Sequence, residues 1–148
     1  MKRKLQPPFY FFACLLLIVG LHFILPVFQL FYSPYKYAGI LLVVIGIWLN
    51  LRVDNLFKKK RTTVKPGEKS FSLVLEGPFL WSRNPMYLGM VAILLGAAAV
   101  LGSLSAFAAP VIFFLIMDRF FIPREEKMLE GTFREEFLNY KKKVRRWL

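Results

Sequence analysis

Two groups of side chains, far apart in the chain, carry the residue types that could do chemistry together. Arg83, Asn84 and Tyr87 open an apolar segment at Asn84-Pro85, and Arg119, Arg124, Glu125 and Glu126 stand where the last apolar segment ends. A carboxylate pair accepts hydrogen bonds from hydroxyl or ammonium groups, while an arginine and the free N–H groups of a helix start hold a carboxylate or phosphate. Set side by side, the two groups would bind a zwitterion. Glu125 and Glu126 lie four and three residues before Leu129, so on a helix they project from the same side as the apolar stripe that Leu129 begins. Charge placed there normally has a partner. The plainer alternative is an acidic pair at a helix start, or salt bridges to Arg119 and Arg124. The single histidine, His22, lies alone in an apolar run and reads as a packed interior group, and Cys14 is the single cysteine. Histidine acid–base chemistry, an intrachain disulfide and a cysteine metal cluster are therefore not expected, and there is neither a GxGxxG segment nor a P-loop.

The elements that must position these groups are membrane spans. Of 148 residues 57% are hydrophobic, yet the formal net charge is +12, with the charges in blocks between long uncharged runs. That segregation predicts an all-α, integral membrane bundle in one domain. Residues 9–31 form a first span of about 34 Å, kinked at Pro26, which is too long for a signal peptide and lacks its cleavage site. Ser33-Pro34-Tyr35 makes a turn, and a second span runs over 37–57. The basic loop that follows contains the turn Lys65-Pro66-Gly67. Gly77-Pro78 is another turn, and Asn84-Pro85 starts a helix, since the residue before proline is held extended and proline suits the first helical turn. From Pro85 to Ile122 there is too much chain for one pass, and Gly102-Ser103 interrupts it. The prediction is a tight hairpin of spans 86–101 and 104–122, four spans in all. Gly89, Ala92, Gly96 and Ala99 recur at helical spacing on the third, so a neighbouring backbone can come close. Leu129, Phe133, Phe137 and Tyr140 predict an amphipathic tail helix over 123–141, lying against the membrane or over the bundle.

Twenty of the 21 Lys and Arg residues fall on one side of this arrangement, Lys36 being the exception, which predicts a multi-pass protein with both termini in the cytoplasm. Such a face attracts anionic lipid headgroups, and the basic charge is assigned to the membrane surface, with no nucleic-acid partner expected.

The motifs also carry a resemblance. Gly77-Pro78 followed by Arg83-Asn84-Pro85-Met86-Tyr87-Leu88-Gly89, and later Glu125-Glu126-Lys127-Met128-Leu129, Phe133-Arg134-Glu135-Glu136-Phe137-Leu138-Asn139-Tyr140 and Val144-Arg145-Arg146, resemble the membrane-embedded methyltransferases of the isoprenylcysteine carboxyl methyltransferase family and the related phospholipid N-methyltransferases. Those proteins carry Gly-Pro, Arg-His-Pro-x-Tyr-x-Gly, then Glu-Glu-x-x-Leu, Phe-Gly-x-x-Tyr-x-x-Tyr and a basic end. The resemblance implies S-adenosylmethionine as cofactor, bound by Arg83, Asn84, Pro85, Tyr87, Leu88, Gly89, Glu125 and Glu126. It also implies a lipophilic small-molecule or lipidated acceptor entering from the bilayer. Glu126 and Arg119 are the implied catalytic residues, Arg119 orienting the acceptor with Arg124 as the second candidate. Asn84 stands where the family has His, which keeps a hydrogen-bonding side chain but removes a titrating base. Arg134 replaces the Gly and Phe137 a Tyr. Methyl transfer from a sulfonium depends mainly on positioning and desolvation, so a missing histidine is tolerable. A prenyl-cysteine-type carboxylate is the first acceptor expected and a phosphatidylethanolamine-type amine the second. A non-catalytic membrane protein that binds anionic lipid is the competing class.

Overall fold

The first helix stops earlier than the apolar run that encodes it. In a computed structural model describing residues 6–30, 34, 36–60 and 72–148, α1 covers Pro7–Ile24 and α2 Tyr37–Lys59. Pro26 does not kink a longer span. It ends one, because the residue before proline is pushed out of the helical region, and Leu25 has φ −134° and ψ 66°. The chain from Leu25 to Leu30 then runs extended across the end of the bundle. Leu30 N–H donates to the Gly102 carbonyl at 2.7 Å, and Leu104 N–H to that of Phe28 at 2.8 Å. The Gln29 amide donates to the Leu101 carbonyl at 3.0 Å. Backbone groups of the segment past Pro26 are thus paired with the turn around Gly102. Ser33, Tyr35 and the Lys65-Pro66-Gly67 turn lie outside the described residues.

The third helix, α3, covers Pro85–Leu101 and ends at the expected place, with Gly102 in the left-handed region (φ 78°) where a side chain would be strained. Its long contact with α2 runs antiparallel through glycines. A Cβ on Gly39 would lie 2.5 Å from the Gly96 carbonyl oxygen, and one on Gly46 would lie 2.5 Å from that of Gly89. Helices in lipid gain nothing from excluding water, so backbone approach of this kind is what holds them together.

After a 3-10 turn at Leu104–Phe107, α4 (Ala108–Ile116) passes through a π-turn (Met117–Phe121) into α5 (Ile122–Lys143). The tail helix predicted to begin separately at 123 is instead continuous with the last span, 40 residues from Leu104 to Lys143. Pro123 has no N–H to give to the ladder, and the wider π-turn just before it is where the ladder adjusts. Among the described residues, three helices are long and apolar enough to cross a membrane: Pro7–Ile24, Tyr37–Lys59 and Leu104–Lys143, the last through its apolar part ahead of the charged residues of α5. At 17 residues α3 is shorter, about 26 Å. Ile18 of α1, Leu94 of α3, Phe113 of α4 and Met117 form the buried core between the helices.

A break does occur in α5, further along. Arg134 has φ 44° and ψ −116° inside an otherwise helical run, the only non-glycine with positive φ among the described residues. This is the position at which the resembling family carries glycine. The bend sets Phe137 and Tyr140 into a second buried cluster with Val144, against Leu73, Leu75 and Phe79.

Candidate functional site

The turn Gly77–Leu80 and the start of α3 meet α5 at the basic end of the bundle, and a cavity of about 340 Å³ lies between them. That volume is in the range of small-ligand pockets. Its wall is largely apolar, with Pro7, Phe57, Met90, Met128, Leu129 and Phe137 among the contributors, and its polar groups are few: Ser72, Arg83, Asn84, Tyr87, Glu125, Glu126 and Tyr140 among them.

Each polar group is held by a different element. Tyr87, one turn into α3, donates its hydroxyl to Glu125 Oε1 at 2.6 Å. Glu125 lies in α5, beyond the spanning segment, and burial pushes its carboxyl up to about 7, against the lowering effect of the Tyr87 hydrogen bond. Glu126, with 8% of its side chain exposed, takes Arg83 Nη2 at 2.8 Å and Arg146 Nη2 at 3.0 Å, one on each oxygen. The acidic neighbours therefore differ in kind: Glu126 is a neutralised ion-pair hub, whereas Glu125 faces the cavity with a hydroxyl for a partner. Arg83 is fixed further by donating Nη1 to the carbonyls of Lys141 (3.1 Å) and Val144 (3.3 Å). Its Nε is buried without a partner among the described residues. Ser72 Oγ, also in the wall, is in the same state.

Asn84 does not cap α3 with its side chain. Its amide donates instead to the Arg146 carbonyl at 3.0 Å, while its backbone N–H is taken by Ser82 Oγ at 3.2 Å. Tyr140 donates to the Phe79 carbonyl at 2.7 Å. The residue standing in for the family's histidine is thus a tie between the start of α3 and the chain's last residues.

Of the residues expected to form a site, Arg83, Asn84, Pro85, Tyr87, Glu125 and Glu126 line this one cavity. Leu88 and Gly89 do not line it, and Gly89 is turned to α2, where a Cβ would meet Asn50. Arg119 and Arg124 are not at the wall either. Arg119 is 73% exposed, paired with Asp118 at 3.7 Å, because it sits in the π-turn, where one extra residue shifts the phase of the side chains. The salt bridges considered between Glu125 or Glu126 and Arg119 or Arg124 are replaced by Tyr87 for the first glutamate and by Arg83 and Arg146 for the second. Sequence reasoning gave Asp118, Ser82 and Trp147 no role. Asp118 carried a usable signal, an acid inside an apolar run that should have a partner. Nothing local marks Trp147.

The donor set suits S-adenosylmethionine. An Arg83 donor and the α3 start match its carboxylate, acidic groups match its ammonium and sulfonium, and apolar walls leave room for a lipid chain. Comparison with known proteins points the same way. Residues 35–136 match the phospholipid methyltransferase family, a stretch that contains Gly77-Pro78, Arg83 to Gly89 and the Glu pair. A protein of Haemophilus influenzae described only as uncharacterized is 46% identical over 63 residues, which is 43% of this chain and all of that protein. No solved structure matches. With more than half of its length matched, and with the motif residues gathered at one cavity in an all-helical bundle, the chain belongs to the phospholipid methyltransferase family.

Proposed function

We propose that the protein transfers a methyl group from S-adenosylmethionine to a lipophilic acceptor that reaches the cavity from the bilayer. Arg83 Nε and the α3 start would hold the carboxylate of the cofactor. When bound, the cofactor supplies an electrophilic methyl on a sulfonium. The protein's part is to orient the acceptor, exclude water through the apolar wall, and manage one proton.

The acceptor best supported is a lipid amine of the phosphatidylethanolamine type. The observation that carries this is the charge of the wall: the guanidinium of Arg83 is already paired with Glu126, whereas among the described residues Glu125 has only the Tyr87 hydroxyl. A carboxylate beside an ammonium stabilises it on entry. An ammonium must then lose a proton before its nitrogen can attack, and a carboxyl near 7 is suited to receive it. The family's description as phospholipid methyltransferases favours the same acceptor. The prenyl-cysteine-type carboxylate is the second reading, resting on Ser72 Oγ, a wall donor with no partner among the described residues. Purified protein incubated with methyl-labelled S-adenosylmethionine and a total lipid extract decides between them. Label in the phosphatidylethanolamine fraction is expected, label in a carboxyl ester would move the assignment to the second reading, and no label in any lipid would contradict both.

A further inference from the structure

Arg146 and Trp147 lie beyond the stretch matched by the family, and neither lines the cavity. Both are nonetheless built into its support. Arg146 Nη2 and Nε reach Glu126 at 3.0 and 3.4 Å, and Nη1 reaches Asp118 Oδ1 at 3.3 Å. Trp147 Nε1 donates to the same Asp118 oxygen at 2.9 Å, and its ring lies on Phe114 of α4, with centroids 4.6 Å apart. The backbone of this segment is fixed as well: Arg83 N–H donates to the Arg145 carbonyl at 3.0 Å, and the Arg146 carbonyl receives the Asn84 amide at 3.0 Å and Ser82 Oγ at 3.4 Å. One arginine therefore links the last span, α5 and the entry to α3.

We propose that Arg146, braced by Asp118 and Trp147, is a positioning residue that sets cofactor affinity without touching the cofactor. The proposal rests on the methyltransferase reading above. Its logic is electrostatic. Glu126 and Asp118 are two acids at the edge of an apolar region, and the planar fork of Arg146 bridges both. With Arg146 present, Glu126 shares its charge between two guanidiniums, and Arg83 stays at the cavity wall with its Nε unengaged. Without it, Glu126 has Arg83 alone, and a ligand carboxylate must compete with a full negative charge for that guanidinium.

The test uses the full chain purified in detergent, with S-adenosylhomocysteine titrated by calorimetry and a melting curve on the same samples. Arg146→Ala should weaken binding by about tenfold or more. It should raise the KM for S-adenosylmethionine far more than it lowers kcat. Arg146→Lys keeps the charge but cannot bridge two carboxylates with a planar fork, so its affinity should fall between. Trp147→Phe keeps the ring on Phe114 and loses only the donor to Asp118, and should change affinity less than Arg146→Ala. A folded Arg146→Ala protein whose affinity equals that of the wild type overturns the proposal. Should Arg146→Ala not fold, a folded Arg146→Lys protein with wild-type affinity does the same. Wild-type protein that binds no S-adenosylhomocysteine overturns the methyltransferase reading and this proposal together, whereas wild-type binding left intact by these changes overturns this proposal alone.

Discussion

The two adjacent glutamates have different partners, and substitution should separate them. Glu125 is raised to about 7 by burial, so it is protonated below that pH and ionised above it. In the proposed role of proton acceptor it would make the rate rise as pH passes through about 7, and Glu125→Gln should lower kcat and remove that rise. A kcat profile in which the rise survives Glu125→Gln would assign it to another group. Linkage gives a second sign to check. A carboxyl whose folded value lies above its ordinary 4.5 contributes stability that is present below the ordinary value and lost as pH rises through about 7. Melting temperature should fall between about pH 4.5 and 7 in the wild type and less so in Glu125→Gln. Glu126→Ala, by contrast, strands two guanidiniums and should cost about 3–5 kcal/mol of stability, read in denaturant unfolding. At this scale the sequence shows the residue types but not the pairings. Arg83, Tyr87 and the Glu pair are visible because their spacing is unusual. That Arg146 rather than Arg119 meets Glu126 depends on where the last turn of the chain returns, which no local pattern encodes.

Among the elements, α5 carries the clearest local conflict. Arg134 at φ 44° is a side chain in a conformation that costs roughly 1–3 kcal/mol, and glycine there would relieve it. Arg134→Gly should raise the melting temperature without lowering cofactor affinity. A lower melting temperature would mean that the Arg134 side chain contributes more than its backbone costs. The reverse experiment belongs to α2 and α3: Gly46→Val forces a side chain into the Gly89 backbone, and overpacking of this kind typically costs about 1–3 kcal/mol. A Gly46→Val protein with an unchanged melting curve would mean that the helices can separate freely. The small-residue pattern on α3 was readable in the sequence because close contact needs small side chains at helical spacing. The end of α1 at Ile24 was misjudged because an apolar run continues past it, and hydropathy does not register that Pro26 has already stopped the helix. The π-turn was equally hidden, since Met117–Phe121 differs in composition from no ordinary helical turn.

For the molecule as a whole, the charge asymmetry argues for one orientation. The cavity lies at the basic end, where α3 begins and α5 leaves the last span, and the positive-inside rule would put that end in the cytoplasm with four spans. In a Cys14-free protein, Lys59→Cys should be labelled from the cytoplasmic side and Leu104→Cys from the other; the opposite pattern would invert the topology. The all-helical class and the membrane setting were legible from apolar runs and charge blocks alone. The cavity was not, because its walls come from residues as far apart as Pro7 and Tyr140. The central claim is that this cavity holds S-adenosylmethionine, and ultraviolet crosslinking of the labelled cofactor to the purified protein, followed by peptide mapping, addresses it directly. Label is expected in the peptides spanning Ser72 to Met90 and Glu125 to Tyr140, and should be competed away by S-adenosylhomocysteine. Label confined to the far half of α1 around Ile18, to the start of α2 around Gly39 or to the turn around Gly102, none of which lines the cavity, or label that the competitor does not remove, would contradict the account.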